Sequence, residues 1–349
     1  MSRRISWLPW LVVVLVALAL PLYLDAQWLK AGQYMMLGAV GAIGLTLLSG
    51  QAGQLSLAHG FFLLVGATSY TVLSGDEEGL VGLGLDPLLS LVGAVAISAL
   101  AGMAFAPVAG RVRGIYLGVA SLSLVFLGLY LGQEAESFTG GTSTGRAPAT
   151  FELFGFPFSN EGDLVIAGVP IRGTERLWYL FLALLALSYW LARGAVRSRV
   201  GRSWRAVRDN EAAAAAMGVD VRRTKASVFA VSSGYAGLAG VMIVLWFDIL
   251  KPDESEYGTY GINTSIAFLA MVIIGGLGSV TGAVMGALVV FGLPQVLTLY
   301  STNLGWFTGS VTPVLVSSFV YGAAIVLVVL FEPGGLAAIG RRIKELRSS

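Results

Sequence analysis

From Tyr257 to Phe331 the chain runs 75 residues without a single Asp, Glu, Lys or Arg. A membrane-crossing helix needs roughly 20 predominantly apolar residues, so this stretch is long enough for three crossings and too apolar to be solvated. The remainder agrees: 56% of the 349 residues are hydrophobic and 12% charged, against about 25% charged in a soluble domain. Mean hydropathy is +0.79. Unpaired backbone groups are so costly in hydrocarbon that only helices and closed barrels span it. The apolar runs here are continuous rather than alternating, which excludes a barrel. The sequence predicts an all-α fold, a polytopic transmembrane helical bundle.

Hydropathy gives about ten spans, near 8–24, 33–50, 55–73, 87–109, 114–132, 177–192, 225–247, 262–280, 283–300 and 311–331. The sixth is short and has room to begin earlier. Cytoplasmic loops carry an excess of Lys and Arg. With both termini cytoplasmic, 17 of the 22 basic residues lie inside, with only 5 of the 20 acidic ones. Residues 1–349 then read as one transmembrane domain with an extracytoplasmic loop 133–176, a cytoplasmic loop 193–225 and a cytoplasmic tail 332–349. Arg3 and Arg4 precede the first apolar run, but no small-x-small cleavage site follows it, so a retained first helix is expected.

Composition excludes several chemistries. There are no cysteines and one histidine, so neither a thiolate metal site nor a cysteine nucleophile is possible. No phosphate-binding loop, zinc-ligand spacing or Gly-x-Ser-x-Gly elbow appears, and we expect no enzyme activity, cofactor or metal. A net charge of +2 gives no reason to expect nucleic-acid binding. No ionisable Asp, Glu, Lys or Arg lies well inside any span, whereas ion and proton paths are marked by such groups. That leaves a passive channel, or a transporter powered from outside this chain.

Three segments interrupt the apolar pattern. Leu48-Ser-Gly-Gln-Ala-Gly-Gln-Leu-Ser-Leu-Ala-His-Gly60 reads either as a discontinuous helix whose freed backbone groups line a cavity or as a polar turn. Gly275-Gly-Leu-Gly-Ser-Val-Thr-Gly282 suits close helix packing as well as a solute path. In the basic loop, Trp204 to Met217 reads as a short amphipathic helix stopped by Gly218, lying on anionic headgroups or docking a partner. The long outer loop, with Thr139-Gly-Gly-Thr-Ser-Thr-Gly145, is expected to pack over the outer mouth. Trp178, Trp190, Trp246 and Trp306 read as interfacial anchors.

Together these segments resemble the permease subunits of ATP-driven branched-chain amino-acid importers, most closely the LivM-type member of the LivH/LivM pair. The resemblance rests on Leu48–His59, on Gly201-Arg-Ser-Trp-Arg-Ala-Val-Arg-Asp-Asn-Glu-Ala-Ala-Ala-Ala-Ala-Met-Gly218 and on Met271–Ala287, with Phe138-Thr-Gly-Gly-Thr in support. It implies that the inner loop docks into a cytoplasmic ATPase through Arg205, Arg208, Asp209, Glu211, Ala212, Ala213 and Gly218. It also implies a solute path lined by weak polar groups, for which Gln51, Gln54, Ser56, His59, Gly275, Gly276 and Gly278 are the candidates. The implied partners are two ABC ATPase subunits, a LivH-like second permease, an extracytoplasmic solute-binding protein, a small-molecule solute and the lipid bilayer of a prokaryotic cell membrane. A permease for urea or short-chain amides, a ribose-type sugar permease and a self-sufficient channel are the alternative readings.

Overall fold

Several helix starts in this chain are fixed by capping side chains. The Asp86 side chain accepts from the Leu88 and Leu89 N–H groups, and Pro87 occupies the first helical position, where a missing N–H costs nothing. Asp220, Ser279 and Asn210 do the same for the N–H groups of Arg223, Gly282 and Ala213. The computed structural model describes residues 8–76, 79–112, 114–153, 155–158, 164–166, 169–253, 259–304, 313–331 and 334–338. The expectations for Arg3, Arg4, Arg113, Trp306 and most of the 332–349 tail fall outside these residues.

In chain order the helices are α1 (Leu8–Ala19), α2 (Ala26–Leu45), α3 (His59–Ser74), α4 (Pro87–Arg111), α5 (Ile115–Glu134), the single turn α6 (Glu136–Thr139), α7 (Gly173–Arg197), α8 (Arg199–Asp209), α9 (Glu211–Ala216), α10 (Val221–Phe247), α11 (Ile262–Gly275), α12 (Val280–Val290), α13 (Gly292–Leu304) and α14 (Pro313–Phe331). The loop between α6 and α7 contains two antiparallel hairpins, β1 (Glu152–Leu153) with β2 (Phe156–Pro157) and β3 (Leu164–Ile166) with β4 (Val169–Ile171). Among the described residues, 6 helical stretches are long and apolar enough to cross a membrane, and α11 is a shorter apolar helix.

The bundle is built around α2 and α10. Each is 83% buried along its most apolar window, against 22–44% for the other candidate spans. α10 lies against α2, α3 and α4, while α2 also carries α7 and α12. Small residues make this closeness possible: a Cβ on Gly66 of α3 would collide with the backbone of Gly237 on α10. The Ser98 hydroxyl of α4 donates to the Ser233 carbonyl of α10 at 2.7 Å. Backbone contact and interhelical hydrogen bonds are what hold helices together when lipid offers no hydrophobic contrast.

Several element boundaries differ from the sequence reading. α7 spans 25 residues and begins before the expected sixth span. The eighth span stops at Gly275, where the glycine-rich segment breaks the helix, and the ninth is divided into α12 and α13. Trp178 is only 4% exposed. It sits over Gly32, where a Cβ would strike its ring, and donates to the Ala17 carbonyl at 2.9 Å. It therefore packs helices together rather than anchoring at an interface, whereas Trp190 is 70% exposed.

Candidate functional site

The polar segment after α2 is a broken helix. α2 widens into a π-helical turn over Thr46–Gln51, a form that recurs at functional sites, and the chain then runs without helix until α3 begins at His59. The break is tied down from several sides. The Leu57 N–H donates to the Ser121 hydroxyl of α5 at 2.8 Å, and the Gly60 N–H to the Ser265 hydroxyl of α11 at 2.9 Å. Ser56 is buried and accepts from the Ala58 N–H; Gln54 is buried, and its side-chain amide donates to the Ala52 carbonyl.

The three motifs meet at one end of the bundle. The Gln51 side chain is 6% exposed. Its Nε2 donates to the Gly278 carbonyl at 2.7 Å, and its Oε1 accepts from Arg205 Nη1 at 3.1 Å. Arg208 Nη1 donates to the Gly50 carbonyl at 2.7 Å. A Cβ on Gly50 would overlap the Gly278 backbone. Gly278 itself turns at φ +81 and Gly276 at φ +107, a backbone region in which L side chains are rare. Of the glycine candidates, only Gly278 reaches Gln51. Gly275 abuts Gly282, and Gly276 lies against Gly334.

The basic loop after α7 is two helices rather than the single helix expected from Trp204 to Met217. α8 ends at Asp209, and Asn210 adopts an extended conformation (φ −162) from which its side chain caps α9 by accepting from Ala213 N–H. Trp204 is buried and donates to the Ser227 hydroxyl of α10 at 2.9 Å, which roots α8 in the bundle. Glu211, at the first turn of α9, pairs with the buried Lys225 of α10 at 2.7 Å. Asp209 pairs with Arg208 at 3.1 Å on the surface. Ala212, Ala213 and Gly218 are exposed, Gly218 at φ +84, and next to them Met217 is 85% exposed. A cavity of about 380 Å³ separates α9 from the broken segment, lined by Gly53, Gln54, Asn210 and Glu211 among others.

His59 lies apart from this junction. It is 3% exposed, its ring centroid is 4.5 Å from that of Phe268, and its Nε2 has no hydrogen-bond partner.

Sequence reasoning missed Arg146. The residue is 1% exposed, donates from Nη1 to the carbonyls of Val81 (2.7 Å) and Phe138 (3.0 Å), and forms an antiparallel bridge with Leu250. It joins three loops at the end of the bundle opposite the inner-loop helices. Lys225 was also missed, although a lysine at the root of a basic loop containing a glutamate was a usable signal. Among the described residues no cluster of three or more metal-ligating side chains occurs.

Long apolar helices, interrupted by glycine-rich segments that α8 reaches through Gln51 and Gly50, define a multi-pass membrane protein. The chain belongs to the branched-chain amino acid transport system permease component family, whose model matches residues 31–329. The high-affinity branched-chain amino acid transport system permease protein LivM of Salmonella typhimurium is 25% identical over 97% of this chain and 76% of its own length. LivM of Escherichia coli K12 is 26% identical over the same shares. The LivH protein of Escherichia coli K12 is 26% identical over 74% of this chain and 80% of its own length. No solved structure matches.

Proposed function

We propose that this chain is the LivM-like permease subunit of an ATP-driven importer, forming with a LivH-like second permease the path for branched-chain or other hydrophobic amino acids. ATP would be hydrolysed on two separate cytoplasmic ATPase subunits, and an extracytoplasmic binding protein would deliver the solute. The observation that carries this reading is the hydrogen-bonded chain Arg205–Gln51–Gly278, because it ties the inner-loop helices to both broken segments. Both similar LivM proteins and the LivH protein are named for branched-chain amino acids, which does not favour the urea or short-chain-amide alternative.

Two clusters support about ten spans with both termini cytoplasmic. The segments that charge counting assigns to the inner face, around residues 50, 205 and 278, touch one another. The loops it assigns outside, around residues 81, 138 and 250, all converge on Arg146. In this orientation α9 and Met217 face the cytoplasm. Small alanines let α9 seat closely in a cleft of the ATPase, while flanking charges fix its register. Closure of the ATPases then pulls α8, and Arg205 and Arg208 transmit the movement to Gln51 and Gly50. A solute drives this equilibrium only through differential affinity for its two states. Ser56 and His59 remain our candidates for the path, beside backbone groups suited to a zwitterion.

The test is to purify the tagged chain in mild detergent from its native host and identify what accompanies it. Recovery of ATPase subunits and a second permease supports the reading. Recovery of the chain alone, with uptake independent of ATP, overturns it in favour of a channel. Since the chain has no native cysteine, a single cysteine at the exposed Ala213 tests orientation, with labelling expected from the cytoplasmic side only.

A further inference from the structure

We infer that a cavity between the last turns of α4 and the first turn of α10 is a headgroup site for an anionic phospholipid of the cytoplasmic leaflet. The cavity holds about 410 Å³, and its charged lining is Arg111, Arg222, Arg223, Lys225 and the single carboxylate Glu211. Glu211 is taken by Lys225 at 2.7 Å, and Arg223 lies 3.3 Å from Asp220 at an exposed position. Arg111 and Arg222 have no acidic partner among the described residues. Two uncompensated guanidiniums therefore flank one opening, and a guanidinium fork matches the oxygens of a phosphodiester.

The rest of the cavity says what kind of anion fits. Its wall on α4 is apolar, formed by Met103, Ala106, Pro107 and Gly110, and a Cβ on Gly110 would meet nothing within 4 Å. That wall continues up one exposed face of α4 through Leu100 (61% exposed) to Val92 (58%) and Leu89 (63%). These positions recur at helical spacing, so they form one stripe running the length of the helix. An amphiphile satisfies both features at once, with its phosphate between Arg111 and Arg222 and its acyl chain along the stripe. Basic pockets between helices on the cytoplasmic side are the usual setting for such headgroups. The inference rests on the inward orientation proposed above.

The test titrates the purified full chain, together with any subunits it retains, with phosphatidylglycerol and separately with phosphatidylcholine, reading bound lipid by native mass spectrometry. Wild type should prefer phosphatidylglycerol. The R111Q/R222Q variant should lose about twenty-five-fold in that affinity, since each surface cation is worth about five-fold, and R111K/R222K, which keeps the charges but not the forks, should fall between the two and so control for folding. Millimolar inorganic phosphate should not displace the lipid. Equal phosphatidylglycerol binding by R111Q/R222Q would overturn the site. Displacement by phosphate would make it a free-anion site instead. Loss of a co-purifying subunit with unchanged lipid binding would make it a protein interface. External labelling at Ala213→Cys would overturn the orientation and with it the assignment to the cytoplasmic leaflet, whereas the lipid titration on the purified chain tests the binding site itself.

Discussion

Arg205 and Gln51 stand 154 positions apart in sequence, yet the Arg205 guanidinium donates to the Gln51 side-chain oxygen at 3.1 Å. The Gln51 amide nitrogen is at the same time committed to the Gly278 carbonyl at 2.7 Å. One buried amide thus links the inner-loop helix to two interrupted membrane segments.

A double-mutant cycle measures that link. Arg205→Ala leaves a buried acceptor unsatisfied, at a cost of about 1–3 kcal/mol, and Gln51→Ala should cost a similar amount. If the groups act through each other, the double variant loses less than the sum, with an interaction energy of about 0.5–3 kcal/mol. Thermal unfolding of the purified chain reads this directly. Strict additivity would mean that the contact carries no energy.

The Glu211–Lys225 pair makes a second prediction. Lys225 is 3% exposed and its partner 26%, so Glu211→Ala leaves a buried cation without its carboxylate. Breaking such a pair from one side costs about 3 kcal/mol, whereas replacing both partners by apolar residues costs much less. Lys225→Met in the Glu211→Leu background should therefore recover most of the lost stability in denaturation.

Gly50 is predicted to refuse a methyl group. Because a Cβ there would meet the Gly278 backbone rather than a flexible side chain, Gly50→Ala should destabilise by about 1–3 kcal/mol. Gly194 on α7 has nothing within 4 Å of a Cβ, so Gly194→Ala should be neutral or stabilise by up to about 1 kcal/mol. Expression level and melting temperature of the two variants separate these outcomes.

Asp248 gives a pH prediction. It follows the last turn of α10 with φ 55. Partial burial raises its carboxyl above the ordinary aspartate range, with nearby Lys30 acting the other way. A raised acid binds its proton more tightly when folded, so stability falls as pH rises from about 3.9, the unfolded value, through the folded one. Asp248→Asn removes the charge and keeps a residue type that tolerates positive φ. Its melting temperature should exceed that of wild type at neutral pH and converge with it toward acid. A constant offset at all pH values would contradict this.

The membrane bundle was legible because apolar runs of the required length leave a chain few options. That the apolar helix leaves off near Ser49 was legible too, since Ser49, Gly50, Gln51, Gly53 and Gln54 cannot continue it without partners, but the sequence left a discontinuous helix and a polar turn both open. The division at Asn210 could have been read too, as a capping residue followed by Glu211 at the first helical position. Trp178 misled because an aromatic at a predicted membrane boundary looks the same whether it faces headgroups or fills the notch above Gly32. Arg146 carried no local signal. Its role depends on three loops brought together by the fold, and a cation in a polar loop ordinarily reads as solvated.

The most direct measurement reconstitutes the chain with its co-purified partners in proteoliposomes and follows leucine uptake and ATP hydrolysis together, for wild type and Arg205→Ala. If Arg205 transmits ATPase closure to the broken helix, hydrolysis should persist while uptake per ATP falls by about ten-fold or more, as loss of one charge-assisted hydrogen bond allows. Uptake per ATP unchanged from wild type would contradict the role assigned to the Arg205–Gln51 contact.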